Sequence, residues 1–443
     1  MSESRLPSKL ELAVEPAGTP SGTFDGRPAA GEAADSWFRR RMLALLGALR
    51  GCEITLVESA ETLRLGTPEP GRETLCATVV VHDPALYRVV ALSGTVGVGE
   101  AYMDGLWSSV ELTTLVRIFV RNRDLLDRME TGFARLGGAL LRLWATLRRN
   151  TRGGSRRNIA RHYDLGNELF RTFLDDNLMY SAAVFRDANE PLEWASRRKL
   201  DRICRKLELR PGLRVIEIGT GWGGFALHAA RQYGCHVTTT TISRAQHELA
   251  RERVREAGLE DRVTLLLQDF RDLGGRYDRL VSIEMIEAIG ADNLDTYFAK
   301  CSELLEPDGM ALIQAITIED RRYAQALRSV DFIQRHIFPG SFIPAISAMT
   351  ESLARASDMK LYQLEDIGPS YAITLRHWRE RFVARLDEVR ALGYPERFVR
   401  MWLYYLCYCE GGFIERSIGD VQMLLLKPWS RRRQYLPDLE PEL

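Results

Sequence analysis

The stretch Val215-Ile-Glu-Ile-Gly-Thr-Gly-Trp-Gly-Gly-Phe225 constrains this chain more than any other. It opens as a short β-branched strand, ends in a glycine-rich turn and runs into an apolar, alanine-rich helix from Phe225 to Tyr233. Glycine at 219, 221 and 223 lets the backbone turn tightly and come close to a ligand, because a Cβ there would collide or force strained dihedrals. Gly219, Gly221 and Gly224 also fit the dinucleotide spacing. A Rossmann oxidoreductase, an S-adenosylmethionine (SAM) site and a plain strand-to-helix turn all stay open at this point. The following strand, His236 to Thr241, ends in threonines and offers no acid for a nicotinamide ribose, whereas Glu217 just before the glycines suits a methyltransferase.

A chain of 443 residues, 45% of them hydrophobic, is long enough for two or three domains. Basic and acidic residues balance at 60 each, which argues against a general nucleic-acid binder. Local positive charge is concentrated at Arg148, Arg149, Arg152, Arg156, Arg157 and Arg161. The seven cysteines have no metal-ligand spacing, so no metal site is read, and their odd number suits a reducing, cytoplasmic compartment. No apolar run reaches the roughly 18 to 20 residues that span a bilayer, nor does the N-terminus resemble a signal peptide.

Residues 1–34, rich in Gly, Pro, Ala, Ser and Glu, are expected to be a disordered tail. Residues 35–130 follow as a small α/β domain, with a helical pattern at Met42 to Leu49 and strands at Glu53 to Val57 and Thr78 to Val81. Its glycine-rich segment Ser93 to Trp107 is too irregular for a phosphate loop. Within 131–157, Phe133, Leu136, Leu140, Leu143, Trp144 and Leu147 recur at helical spacing among arginines, and Gly153-Gly-Ser155 marks a linker. A basic amphipathic helix of this kind either lies on anionic lipid or packs on its own domain.

From 158 to 430 strands and helices alternate in the doubly wound manner, before a C-terminal tail at 431–443. Strands are predicted at Arg214 to Ile218, His236 to Thr240, Val263 to Leu267, Asp278 to Ile283 and Met310 to Ile316. Ligands of such sheets sit at the carboxyl ends of strands, where Gly219, Thr241, Asp269, Glu284, Glu287 and Gln314 all fall. Asp320 to Pro344 carries more aromatic and apolar side chains than a solvated loop needs, as an apolar substrate pocket or a helical cap would require.

Several motifs together resemble the cyclopropane fatty acid synthase family over about residues 50 to 430. They include Gly97-Val-Gly-Glu-Ala-Tyr-Met-Asp-Gly-Leu-Trp107, His162-Tyr-Asp-Leu-Gly-Asn-Glu-Leu-Phe170, Glu217-Ile-Gly-Thr-Gly-Trp-Gly-Gly224, Ser282-Ile-Glu-Met-Ile-Glu287 and Cys409-Glu-Gly-Gly-Phe413. The resemblance implies a Rossmann-like α/β SAM methyltransferase domain with a helical lipid-binding cap. It also implies an enzyme that moves a methyl group from SAM to the cis double bond of an acyl chain in membrane phospholipid. Tyr180, Ser181, Glu217, Gly219, Gly221, Gly223, Thr241, Ser243, Gln246, Asp269 and Phe270 would hold SAM. In that family a bound bicarbonate is taken to remove the final proton. Its cage maps here onto Ala182, Glu287, Gln314, Ile316 and Tyr371. Cys409 matches a cysteine sometimes marked as active.

Two positions depart from the best-known members, with Ala182 in place of cysteine and Gln314 in place of histidine; glutamine cannot become a cation. Cyclopropane formation is the reading taken. A methylene- or methyl-branched product is the alternative, and a non-catalytic lipid-binding protein is the rival from another class. The expected setting is the inner, cytoplasmic face of a membrane, with peripheral contact to anionic lipid. A homodimer is left open.

Overall fold

The computed structural model describes residues 30–59, 61–129 and 165–433. The basic stretch 133–149, the arginines that follow it and the start of the His162 motif lie outside the described residues.

A seven-stranded sheet carries the fold. Its strands are β5 (Arg214–Ile218), β6 (His236–Thr241), β7 (Val263–Leu267), β8 (Tyr277–Ile283), β9 (Leu305–Ile318), β10 (Lys360–Asp366) and β11 (Ile418–Leu426). Their spatial order is β10-β11-β9-β8-β5-β6-β7. Pairing is parallel from β7 through β9, while β11 runs antiparallel to both β9 and β10. The chain winds outward from β5 to β6 and β7, then returns to build β8 and β9 on the other side. Strand order therefore reverses between β5 and β8, where an open α/β sheet forms its ligand crevice.

Both faces of the sheet's centre are covered, so β5, the second half of β9 and most of β11 are buried residue after residue. Val215, Val281 and Leu312 pack on one side with Phe225, Ala229 and Leu200. Ile216, Leu280 and Ala311 pack on the other with Tyr297, Phe298 and Met349. This alternation is the two-residue period of a strand.

A second sheet comes from the N-terminal part, ordered β2 (Thr62–Leu65), β1 (Cys52–Val57), β3 (Leu75–Val81) and β4 (Trp107–Ser108). The helix before it begins at Ala30, inside the stretch expected to be disordered. The glycine-rich segment Ser93 to Trp107, too irregular for a phosphate loop, lies largely in helix Ala85–Met103, kinked at Gly94, whose φ is +56°. This unit does not have a separate core. Ile54, Leu56 and Trp107 belong to the same buried cluster as Phe173, Trp378 and Trp402. Long helices Gly368–Ala384 and Glu396–Ile414 lie between the two sheets.

A buried ion pair ties those helices to each other, and a hydrogen bond from Thr113 links the pair to the N-terminal unit. Arg379 donates to Glu410 at 2.7 and 3.2 Å, and Thr113 donates its hydroxyl to the same carboxylate at 3.2 Å. Removing one partner strands a buried charge. Arg379→Met is therefore expected to cost about 3–5 kcal/mol in urea unfolding, with the Arg379→Met/Glu410→Leu double variant recovering much of that loss.

Candidate active site

The glycine turn opens onto a cavity of about 700 Å³. Gly219 and Gly221 have φ of +104° and +52°, in the left-handed region, and an added Cβ at Gly221 would meet nothing within 4 Å. That side of the turn is open space toward the cavity. Glu217, Gly219, Gly221, Thr241, Gln246, Asp269 and Phe270 line this end, together with Tyr180 and Ser181.

Local hydrogen bonds hold these groups in place. Thr239 donates to Glu217 at 2.6 Å, and Thr241 donates to Gln246 at 2.8 Å. Asp269 caps the turn Phe270–Asp272 and forms a bidentate pair with Arg271 at 2.8 and 2.6 Å. Two residues expected to hold SAM are not part of the wall. Gly223 immediately precedes helix Gly224–Tyr233 and Ser243 caps helix Arg244–Glu256, accepting from the Gln246 N–H.

Past the carboxyl ends of β8 and β9 lies a dense polar cluster. Glu284 follows β8 with φ of +47°, a left-handed conformation uncommon for a residue with a side chain. Its Oε1 accepts from the Ser181 hydroxyl at 2.7 Å, the Ala182 N–H at 2.9 Å and the Gln314 amide at 2.7 Å. Its Oε2 accepts from the Tyr371 hydroxyl at 2.8 Å. Gln314 also donates to Asp420 at 2.9 Å, and the fully buried Lys199 donates to Ser181 at 3.0 Å.

Glu287 lines the cavity as well. One of its oxygens accepts the Ile316 N–H at 2.6 Å, and the other is buried without a partner among the described residues. Burial, followed by the nearby charge of Glu284, pushes its carboxyl up to about 8. Burial also pushes Glu217 up to about 8. Asp420 is raised well above the carboxylate range by burial and by the charges of Glu284 and Glu287. The cluster already resists a second negative charge.

The bicarbonate implied by resemblance does not fit this donor set. Ala182, Gln314 and Tyr371 are turned onto Glu284, and the Ile316 N–H onto Glu287, so the cage is filled by the protein's own carboxylates. A free anion would add to a cluster in which two acids are already pushed toward their neutral forms. Cys409 departs from expectation too: it sits in the cavity wall near Tyr404, Tyr405 and Tyr408, and burial raises its thiol far from the thiolate form a nucleophile needs. The sequence pattern places Glu284 at a strand end without marking it as a site residue, and it does not single out Lys199 or Asp420. An acid inside the apolar strand Ile418–Leu426 and a lysine on a helix's buried face were the available signals.

Beyond this cluster the cavity turns apolar. Tyr371 stacks on Phe413 at 4.4 Å, and Phe338 lies 6.2 Å from both Tyr180 and Tyr405. The wall then continues into the N-terminal unit through Phe38, Leu45, Ile54, Leu56, Val79 and Leu86. Ile333, Phe338, Phe342 and Ile343 of the stretch expected as a cap also face this space.

The parallel sheet, the glycine turn at its switch point and the cavity beside it define a SAM-dependent methyltransferase. The chain belongs to the family described as mycolic acid cyclopropane synthetase, whose model matches residues 150–423. It is 38% identical over 371 residues to a tuberculostearic acid methyltransferase of Mycobacterium tuberculosis, spanning 82% of this chain and 86% of that one. It is also 38% identical over 346 residues to a cyclopropane-fatty-acyl-phospholipid synthase of Escherichia coli, spanning 77% and 86%. Among solved structures, a mycolic acid cyclopropane synthase in complex with S-adenosylhomocysteine matches with a TM-score of 0.57 and 29% identity. That match covers 61% of this chain and 98% of the other.

Valine at 221 would combine a strained β-branched backbone with a side chain projecting into the cavity. Gly221→Val is expected to weaken SAM binding by at least about tenfold in calorimetry, equivalent to about 1.4 kcal/mol, while circular dichroism shows the fold retained. Unchanged affinity would remove the turn from the binding site.

The raised carboxyls make stability depend on pH. Glu217 and Glu287 keep their protons in the folded protein to about pH 8 but release them near 4.5 when unfolded. Over that window the folded state binds more protons, so stability falls as pH rises from about 4.5 to about 8. Glu287→Gln has no proton to lose, and its melting temperature is expected to decline less across this window than that of the wild type.

Proposed function

We propose that this enzyme transfers a methyl group from SAM to the cis double bond of an unsaturated acyl chain in membrane phospholipid and closes a cyclopropane ring. The observation that carries the reading is the single cavity joining the glycine turn to a long apolar channel. SAM supplies an electrophilic methyl group on sulfur. The turn Gly219 to Gly221, with Tyr180, Ser181, Thr241, Gln246, Asp269 and Phe270, would hold it, and Glu217 would sit beneath the turn. The apolar channel would thread the acyl chain so that its double bond lies beside the polar cluster.

An unactivated alkene is a weak nucleophile, so the channel's main contribution is alignment and exclusion of water. The product of attack is a carbocation. Faces of Tyr180, Phe338, Tyr371 and Tyr405 border this part of the cavity, and an aromatic face favours a nearby cation by roughly 0.5–2 kcal/mol. Removal of a proton from the new methyl group then closes the ring.

A second reading keeps the methyl transfer and ends in a methylene- or methyl-branched chain, after a hydride shift moves the cation. The tuberculostearic acid methyltransferase among the relatives favours it. Substrate drawn from the cytoplasmic face of the membrane by peripheral contact is part of the proposal, motivated by the basic stretch 133–149. No helix among the described residues is long and apolar enough to cross a membrane.

The test is incubation of purified enzyme with SAM and vesicles of monounsaturated anionic phospholipid, followed by mass spectrometry of the acyl chains. One added methylene unit with no surviving double bond is the expected result. A surviving double bond would establish the branched product instead. Vesicle binding should weaken with added salt, and equal activity on free fatty acid without a bilayer would refute the membrane part.

A further inference from the structure

The cation left by methyl transfer must lose a proton, and four donors converge on one carboxylate at the cavity wall, that of Glu284. We propose that Glu284 is the general base, standing in the place that the family resemblance gives to bicarbonate. The proposal rests on the methyl-transfer reading above.

Glu284 lines the cavity directly, next to Ser181, Glu287 and Tyr371. Three donors meet at its Oε1, whereas among the described residues Oε2 receives the Tyr371 hydroxyl alone and keeps capacity to accept a proton. Its left-handed backbone is held by these bonds and by its own N–H, which donates to the Gln314 carbonyl at 2.9 Å. Strain retained at a cavity wall marks a position shaped for a task rather than for stability. Glutamine at 314 fits the same logic. Gln314 orients the tethered carboxylate as a neutral donor and lacks the charge with which a histidine would hold a free anion.

The electron count closes without any further reagent. The alkene π pair bonds to the methyl carbon as the carbon–sulfur bond breaks toward sulfur, leaving S-adenosylhomocysteine and a cation. A C–H bond of the transferred methyl then breaks. Its electron pair forms the last ring bond to the cationic carbon, and the proton goes to the Glu284 carboxylate, which passes it to water after product release. What Glu284 supplies is position beside the transferred methyl group in a site shielded from water.

The test compares wild type with Glu284→Gln and Glu284→Gly in buffer stripped of carbon dioxide and in buffer with added bicarbonate. Wild-type turnover should be the same in both. Glu284→Gln should lose at least about 100-fold in kcat, with SAM affinity within about threefold by calorimetry. Glycine tolerates the left-handed backbone and frees the donors of Ser181, Ala182, Gln314 and Tyr371. Glu284→Gly should therefore be inactive in stripped buffer and regain turnover with millimolar bicarbonate, a rescue that a merely structural role for Glu284 does not predict. Wild-type dependence on bicarbonate, or near-normal turnover of Glu284→Gln, would overturn the proposal. Calorimetric titration of bicarbonate into wild type separates the two readings: binding there would overturn this inference even if no lipid were methylated. Absence of wild-type methyl transfer onto any unsaturated vesicle would instead overturn the functional reading.

Discussion

A carboxylate held at the carboxyl end of a buried sheet has to be met by donors, and here they come from three separate parts of the chain. Ser181 and Ala182 reach Glu284 from the segment before helix Leu192–Lys206, Gln314 from β9 and Tyr371 from helix Gly368–Ala384. The chain of bonds continues away from the cavity. Gln422 on β11 donates to Gln314 at 3.1 Å, and Lys206 donates to Gln422 at 2.8 Å and to Glu365 on β10 at 2.5 Å. Arg202 pairs with the same glutamate nearer the surface. Because an unmet polar group in such a setting is costly, each link fixes the register of the next. The antiparallel strands β10 and β11 are thereby tied to the site as well as to the sheet.

The apolar half of the cavity depends on a different constraint. Neither the N-terminal sheet nor the two long helices enclose a channel alone; each buries its apolar face on the other in one shared cluster. Arg117 and Arg121 of helix Leu112–Arg121 reach Glu415 at 2.7 and 2.8 Å, and Arg379 with Thr113 meets Glu410. These polar ties set the spacing between layers, while the aromatic and aliphatic side chains set the channel's width. A polar end for SAM chemistry and an apolar end for a long chain follow from one continuous wall.

The central strands were legible because each carries its own signal: a short β-branched run bounded by turn residues needs no distant partner to be recognised. Arg214–Ile218 and Val263–Leu267 occur where the pattern places them. Strands β10 and β11 were not read, since their pairing is with each other and with β9 across long sequence separations. The site was legible as a set of strand ends but not as a set of bonds. Glu284 and Glu287 stand three residues apart in one motif and look interchangeable in sequence. Only the first is turned by its left-handed backbone into the donors, while the second keeps one oxygen bare.

The sequence by itself determined the class of chemistry, because a glycine turn needs no tertiary context to exclude side chains from a cofactor's path, and the family motifs sit at fixed strand ends. The excess of aromatics between Asp320 and Pro344 left an apolar pocket and a helical cap equally open, and only the fold turned Ile333, Phe338, Phe342 and Ile343 toward the cavity. Which acid accepts the donors was decided only by the tertiary structure, since hydrogen bonds reaching Glu284 from residues 181, 182, 314 and 371 depend on distance and direction. The same holds for the channel: residues 38 to 86 join the wall because burial of their apolar faces brings them onto helices more than two hundred residues away, and nothing in their local pattern names that partner.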